Sequence, residues 1–170
     1  MIKQLDDWFP KNRIEALTDG IYAVALTILV LDLKLPVTGL GSEAFVHALQ
    51  NQVPKLLTWA LSFWVILIYW ESQVRLNRLV GRIDSTFLRL DLIHLGLISL
   101  LPFTTSLIGE HSDQSLAVLI YTGNLWMISA LYVVKIVVMH RRSELLCADA
   151  DVAKLIRPAK LMFGALTLAL

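Results

Sequence analysis

The feature that most constrains this sequence is a series of long apolar blocks with few or no charged residues. A helix that crosses about 30 Å of hydrocarbon needs about 20 mostly apolar residues, because each residue adds about 1.5 Å. Four blocks meet this requirement and a fifth begins near the end of the chain; they cover residues 16–35, 53–71, 87–109, 114–134 and 157–170. The pattern predicts an all-α, polytopic bundle of transmembrane helices that forms a single transmembrane domain over residues 1–170.

Composition excludes several other classes of protein. Hydrophobic residues make up 56% of the 170 residues and charged residues 17%, whereas a typical soluble domain carries about 25% charge. Disordered chains have low hydrophobicity and high net charge, but here the net charge is only +1. That balance also argues against a nucleic-acid partner. Cys147 is the single cysteine, so an intramolecular disulfide and a CxxC redox motif are impossible.

Lysine and arginine residues predict which side of the membrane each loop occupies. They precede the first block, lie around the link between the second and third blocks and follow the fourth, whereas the link 110–113 has none. Because cytoplasmic loops carry the excess of these residues, we expect the N-terminus to be cytoplasmic in a multi-pass protein of the inner (plasma) membrane. An odd number of spans then leaves the C-terminus outside, so we expect a sixth span that this chain lacks.

The sequence has no motif that predicts an enzyme. The GxGxxG, Walker A, HExxH and GxSxG patterns are absent, and the four histidines are scattered, so we expect neither a cofactor nor a metal site. The TVGYG loop of conventional potassium channels is also absent. The informative groups are therefore the polar residues within the spans, because placing a polar side chain inside a membrane costs free energy.

Polar residues are densest at the start of the first block. Asp19 lies about one turn inside the apolar run, and Arg13 is about 600° away around the helix, so each is expected to meet other helices. We expect Asp91, in the third block, to join Arg13 and Asp19 across a helix interface; a proton relay is the alternative. An N-terminal cap is the alternative interpretation of Asp19.

Residues 13–19 resemble the first helix of the prokaryotic transmembrane protein 175 family, the relatives of the endolysosomal potassium channel. The family signature is Arg-x-x-x-Phe-Ser-Asp. Arg13 and Asp19 match it, Thr18 keeps the hydroxyl of the serine, and Leu17 replaces the phenylalanine.

Later features follow in the order found in that family. These are Ser62, Phe63, Trp70, Asp84, the run Leu101, Pro102 and Phe103, and then Glu110 and His111. The chain departs from the family at Leu17, in lacking the histidine usual after Trp70, and in lacking the sixth helix. The resemblance still extends over most of the chain.

The resemblance implies a channel domain that conducts potassium ions passively, with four subunits around one pore lined by the first helix. Carried over by position, Val24 forms the constriction, Ile28 and Leu31 form further apolar layers of the gate, and Thr27 contributes with Val24 to selectivity. The signature residues Arg13, Leu17, Thr18 and Asp19 then belong with Asp91 to an inner polar cluster.

Helical periodicity independently places Val24, Ile28 and Leu31 on one stripe, with Thr27 beside it. A narrow apolar ring opposes the passage of a hydrated ion, and Val24 is smaller than isoleucine, so we expect a weaker constriction than in relatives with isoleucine. Without the resemblance, such a stripe is typical of a lipid-facing or packed surface.

Three other functions stay open at this point. A secondary transporter would need a substrate site in the middle of the membrane, normally with broken helices and internal repeats. A proton-conducting membrane protein and a non-conducting membrane scaffold would use similar helices. The partners we expect are other copies of the chain, in a homotetramer, and the lipid bilayer.

Overall fold

The computed structural model describes residues 9–34 and 41–147, so the block predicted at 157–170 lies outside the described residues. Within those ranges the chain is helical and has only isolated β-bridges, which confirms the predicted all-α class. The helices are α1 (Lys11–Val30), α2 (Ser42–Asn51), α3 (Val53–Leu79), α4 (Ser85–Ser99), α5 (Leu101–Glu110) and α6 (Ser115–Arg141), followed by a 3-10 turn at Ser143–Leu145.

Three helical segments of the described chain are long and apolar enough to cross a membrane. They are α3, the segment Ser85–Glu110 that combines α4 and α5, and α6. Helix α1 has the length of a span, with 20 residues, but Lys11, Arg13, Glu15 and Asp19 concentrate charge in its first half. The chain is a multi-pass membrane protein.

The predicted block 87–109 is a broken helix. Pro102 has no N–H group to donate to the carbonyl one turn earlier, so α4 ends at Ser99 and α5 begins at Leu101. Pro102 lies in the first turn of α5, where a helix does not need that hydrogen bond. The Thr104 hydroxyl donates to the Leu101 carbonyl at 3.2 Å.

Two other helices differ in length from the predicted blocks. Helix α1 ends at Val30, five residues before the end of block 16–35, because the chain tightens there: the Leu31 N–H donates to the Ile28 carbonyl at 2.9 Å. The Asp32 carboxylate then accepts a hydrogen bond from the Ser106 hydroxyl of α5 at 2.9 Å. Helix α6 continues beyond block 114–134 to Arg141.

The middle of the bundle is packed around the rear face of α1. Tyr22, Ala25 and Leu29 of α1 are buried there against residues of α3, α4, α5 and α6, namely Ile66, Tyr69, Leu95, Ile98, Leu101, Leu125 and Ile128. Between membrane helices, such packing and interhelical hydrogen bonds are the main stabilising interactions. Because α3, α4, α5 and α6 all contribute, the rear of α1 has a defined position.

A second cluster closes one end of the bundle around the link between α3 and α4. Backbone hydrogen bonds join this link to the segment after α6, with the Gly81 N–H 2.7 Å from the Leu145 carbonyl oxygen, and to the segment before α1, with the Phe9 N–H 2.9 Å from the Ile83 carbonyl oxygen. Leu145 is fully buried. The start of α1 is therefore connected to the segment that follows α6.

Candidate functional site

Helix α1 has one buried and one exposed face. Its buried residues are Thr18, Tyr22, Ala25 and Leu29. On the opposite face, the apolar residues are largely exposed: Leu17 is 44% exposed, Val24 54%, Ile28 46% and Leu31 64%. The structure thus places Val24, Ile28 and Leu31 together, on a side of α1 that no other described helix of the chain covers.

An open groove of about 350 Å³ follows this exposed face. Its lining runs along α1 from Ala16 past Gly20 and Val24 to Ile28, and Ser99 of α4 forms part of the other wall. Nearly all of these lining side chains are apolar. An apolar surface of this kind can face lipid, another protein chain or a narrow apolar pore.

Thr27 lies beside this stripe and is exposed. Its hydroxyl donates to the Val24 carbonyl oxygen at 2.9 Å. A threonine hydroxyl has one donor and two acceptor positions, so this bond uses the proton and leaves oxygen lone pairs available. The arrangement places the Thr27 hydroxyl oxygen within one helical turn of Val24, the residue at which the resemblance predicts the constriction.

Within the described ranges, polar contacts join α1, or the turn just after it, to three neighbouring helices. The Asp19 carboxylate accepts from the Trp70 indole N–H of α3 at 2.9 Å. The Tyr22 hydroxyl and His94 Nε2 of α4 are 3.0 Å apart, and just beyond the end of α1, Asp32 bonds to α5 as described above. Each contact uses a different neighbouring helix, so α1 is fixed by groups that do not face the groove.

The predicted inner polar cluster does not form as a unit in the structure. Asp91 does not contact Arg13 or Asp19; its carboxylate Oδ1 instead lies 3.0 Å from Lys135 Nζ of α6 and accepts from Gln73 Nε2 of α3 at 2.8 Å. The reason is that Asp91 is on a buried face of α4, whereas Arg13 and Asp19 are exposed on α1.

The other signature residues have separate local roles. Thr18 is buried, and its hydroxyl donates to the Ile14 carbonyl oxygen one turn earlier at 2.9 Å. Leu17 lies on the groove. The Arg13 backbone N–H bonds to the Asn12 side chain at 3.0 Å. Asp19 is not an N-terminal cap, since α1 begins at Lys11, eight positions earlier, with Pro10 as the cap residue.

Sequence reasoning missed Lys135. Its side chain is 0% exposed, as is Gln73, and Asp91 is 1% exposed. The missed signal is that apolar residues continue for four positions after this lysine, from Ile136 to Met139. Ending the fourth block at the first charged residue placed Lys135 at the membrane surface, whereas it lies inside the bundle and pairs with Asp91.

Among the described residues, no group of three or more histidine, cysteine or acidic side chains could hold a metal ion. The polar groups inside the bundle instead bond to one another between helices. For example, the Tyr69 hydroxyl of α3 donates to the Leu125 carbonyl oxygen of α6 at 3.0 Å and lies 2.8 Å from the Ser129 hydroxyl oxygen. These hydrogen bonds join α3 to α6 inside the bundle.

Comparison with known proteins adds a family to this geometry. Residues 13–102, more than half of the chain, match the family model described as the endosomal/lysosomal potassium channel TMEM175. A potassium channel from Streptomyces collinus is 34% identical over 106 residues, which are 62% of this chain and 51% of that protein. A potassium channel from Chamaesiphon minutus is 34% identical over 116 residues, which are 66% of this chain and 57% of that protein.

A solved structure is also similar. The crystal structure of a lysosomal potassium-selective channel TMEM175 homolog from Chamaesiphon minutus has a TM-score of 0.75 and 29% sequence identity, and the match covers 93% of this chain and 85% of that chain. The sequence matches, by contrast, span only about half the length of the two bacterial relatives.

Proposed function

This chain belongs to the family of the endosomal/lysosomal potassium channel TMEM175, and from that premise we propose that it is a potassium-permeable cation channel. In this proposal, four copies surround one pore and α1 of each copy lines it. The observation that carries the proposal is the exposed apolar stripe of Val24, Ile28 and Leu31, on a helix whose opposite face is fixed by the rest of the bundle. The names of the bacterial relatives support potassium as the permeant ion.

Four copies of the stripe would form successive apolar rings. An ion reaching the Val24 ring loses part of its hydration shell, so the barrier depends on the diameter of the ring and on nearby oxygen atoms. The Thr27 hydroxyl, bonded to the Val24 carbonyl, is an exposed polar group within one helical turn of that ring. We therefore assign the constriction to Val24, further apolar layers to Ile28 and Leu31, and selectivity to Val24 and Thr27 together.

The proposal includes the orientation of the chain in the plasma membrane. One end of the bundle carries arginine residues, including Arg75, Arg78 and Arg82 near the link between α3 and α4. By the positive-inside rule, this end faces the cytoplasm. The link between α5 and α6 has neither lysine nor arginine and faces outside. The start of α1 then lies on the cytoplasmic side, and the pore runs outward from Leu17 to Leu31.

The test is ion flux through purified protein in liposomes, with potassium, sodium and protons measured separately. We expect potassium flux driven by membrane potential. The Val24→Ala variant should raise conductance and lower the potassium-to-sodium permeability ratio severalfold, because the ring becomes wider, and Val24→Ile should lower conductance. Val137 of α6 is a matched control, since it is an exposed valine on another helix.

Different results distinguish the alternatives. Absence of flux for all three ions from an intact tetramer would identify a non-conducting scaffold. Flux of protons alone would identify a proton pathway, and flux coupled to the gradient of another solute would identify a transporter. If the Val24 variants behave like Val137→Ala and Val137→Ile, the constriction is not at Val24.

A further inference from the structure

The interior of the bundle contains an ion pair that the proposed function does not use. Lys135 of α6 and Asp91 of α4 pair at 3.0 Å, with 0% and 1% of their side chains exposed. Gln73 of α3 lies between them: it donates to Asp91 at 2.8 Å and accepts from Lys135 at 2.5 Å. A buried charge needs such partners, so these three side chains fix α3, α4 and α6 relative to one another.

The same face of α4 also contacts the pore-lining helix. Asp91 and His94 are about one turn apart, which places both side chains on the same side of the helix, and both are buried. His94 Nε2 is 3.0 Å from the Tyr22 hydroxyl of α1. If α4 slides or rotates at Asp91, His94 therefore moves with it, and the hydrogen bond between His94 and Tyr22 of α1 is displaced.

Of the three polar contacts of α1 described above, only the one between Tyr22 and His94 is fully buried. Asp19 and Trp70 are exposed, and Asp32 and Ser106 are half-buried, so those two bonds lie at the surface of the bundle. Tyr22 is only 1% exposed and His94 also 1%, so their bond lies inside the bundle. Tyr22 precedes Val24 by two residues, so rotation of α1 at Tyr22 also rotates Val24 relative to the groove.

We propose that Lys135, Asp91 and Gln73 are positioning residues for the pore, acting through His94 and Tyr22 to set the orientation of Val24. This inference rests on the proposed function for its readout in ion selectivity. The ion pair fixes the position of α4 relative to α3 and α6. His94 of α4 then fixes Tyr22 of α1 through their hydrogen bond. As a result, the four Val24 side chains of the tetramer form a ring of one defined diameter.

The experiment measures the potassium-to-sodium permeability ratio, as a reversal potential, in liposomes that contain the purified full chain. Lys135→Met removes the ammonium group, and Tyr22→Phe removes only the hydroxyl. Each should lower the ratio by roughly fivefold, the factor that corresponds to the loss of one buried hydrogen bond, because in this proposal both changes act through the bond between Tyr22 and His94. The two changes combined should do no more than either alone, because both act through one series of contacts.

A rescue variant separates positioning from loss of structure. Lys135→Met combined with Asp91→Asn removes both charges, while an amide can still bond to Gln73, so the ratio should return towards that of the unmodified protein. Ser129→Ala is the control: it removes a buried hydrogen bond between α3 and α6 that involves neither α1 nor α4, and it should leave the ratio unchanged.

Two results would overturn the proposal: an unchanged ratio in Tyr22→Phe, or equal and additive losses from Tyr22→Phe and Lys135→Met. If Lys135→Met alone does not assemble, Tyr22→Phe and the rescue variant decide, with a lowered ratio in the first and a normal ratio in the second as the supporting result. A normal ratio in Tyr22→Phe decides against it.

A second readout does not depend on conduction. Cys147 is the single cysteine, so Cys147→Ser with Val24→Cys gives a chain with one thiol at the proposed constriction. We expect Lys135→Met to change the rate at which a methanethiosulfonate reagent modifies this thiol, and the rescue variant to restore it. If the unmodified protein conducts no ions, the proposed function fails, while this rate still tests the positioning role; an unchanged rate refutes it.

Discussion

The ion pair between Lys135 and Asp91 makes a strong prediction about stability. Lys135→Met leaves a side chain of similar length but removes the positive charge. The Asp91 carboxylate then stays in the interior, 1% exposed, with Gln73 as its remaining hydrogen-bond donor. Removing one partner of a buried ion pair costs about 3–5 kcal/mol of the free energy of unfolding, and the low dielectric around the bundle makes an unpaired charge costly.

Removing both charges should cost much less. Lys135→Met combined with Asp91→Asn leaves no unpaired charge, and the new amide can both donate to and accept from Gln73. Replacement of a whole buried ion pair is often close to neutral, so we expect the double variant to lie within about 2 kcal/mol of the unmodified protein. Asp91→Asn alone should be nearly as destabilising as Lys135→Met, because it leaves the ammonium group unpaired.

The assay is equilibrium unfolding in mixed detergent micelles with increasing dodecyl sulfate, followed by tryptophan fluorescence. The two single variants and the double variant form a cycle with the unmodified protein. Strong non-additivity, with the double variant more stable than either single one, is the expected result. The reasoning is refuted if Lys135→Met unfolds at the same detergent fraction as the unmodified protein, or if the double variant loses the sum of the single losses.

Two further predictions concern helix contacts elsewhere. Tyr69→Phe removes the hydroxyl that bonds to the Leu125 carbonyl and to Ser129. It should lower the free energy of unfolding by about 1–2 kcal/mol in the same assay. An unchanged transition would mean that this bond does not hold α3 to α6. Gly81→Ala places a Cβ 3.2 Å from the Leu146 carbonyl oxygen, so limited proteolysis should cut the segment after α6 faster than in the unmodified chain; equal rates would contradict the close contact.

Block lengths were enough to predict the helical class, because only helices satisfy every backbone group within an apolar segment. Where the helices begin and end depends on contacts that hydropathy does not record. The end of α1 at Val30 is set by a tightened turn and by the bond between Asp32 and Ser106, which are 74 positions apart. The break near Pro102 has a local cause, since proline lacks the N–H that a continuous helix requires.

The candidate site was only partly accessible to sequence reasoning, for a physical reason. Apolar residues facing lipid, a protein interior or a pore have the same hydropathy, so periodicity could place Val24 and Ile28 on one stripe without saying what the stripe faces. The structure adds that this side of α1 is exposed and the side with Tyr22 is buried. Only the resemblance to a channel family turned the stripe into a pore hypothesis.

Lys135 illustrates why the supporting residues were harder to find than the stripe. The apolar stripe of α1 is exposed, so its position depends on contacts made by the opposite face of the helix. Those contacts are polar and distant in sequence: Tyr22 and His94 are 72 positions apart, and Asp91 and Lys135 are 44 apart. Asp91 is recognisable as a charged residue within an apolar block, but the sequence does not show its partner, because a lysine near the end of an apolar run is normally at the membrane surface. The structure places it instead inside the bundle, where it pairs with Asp91.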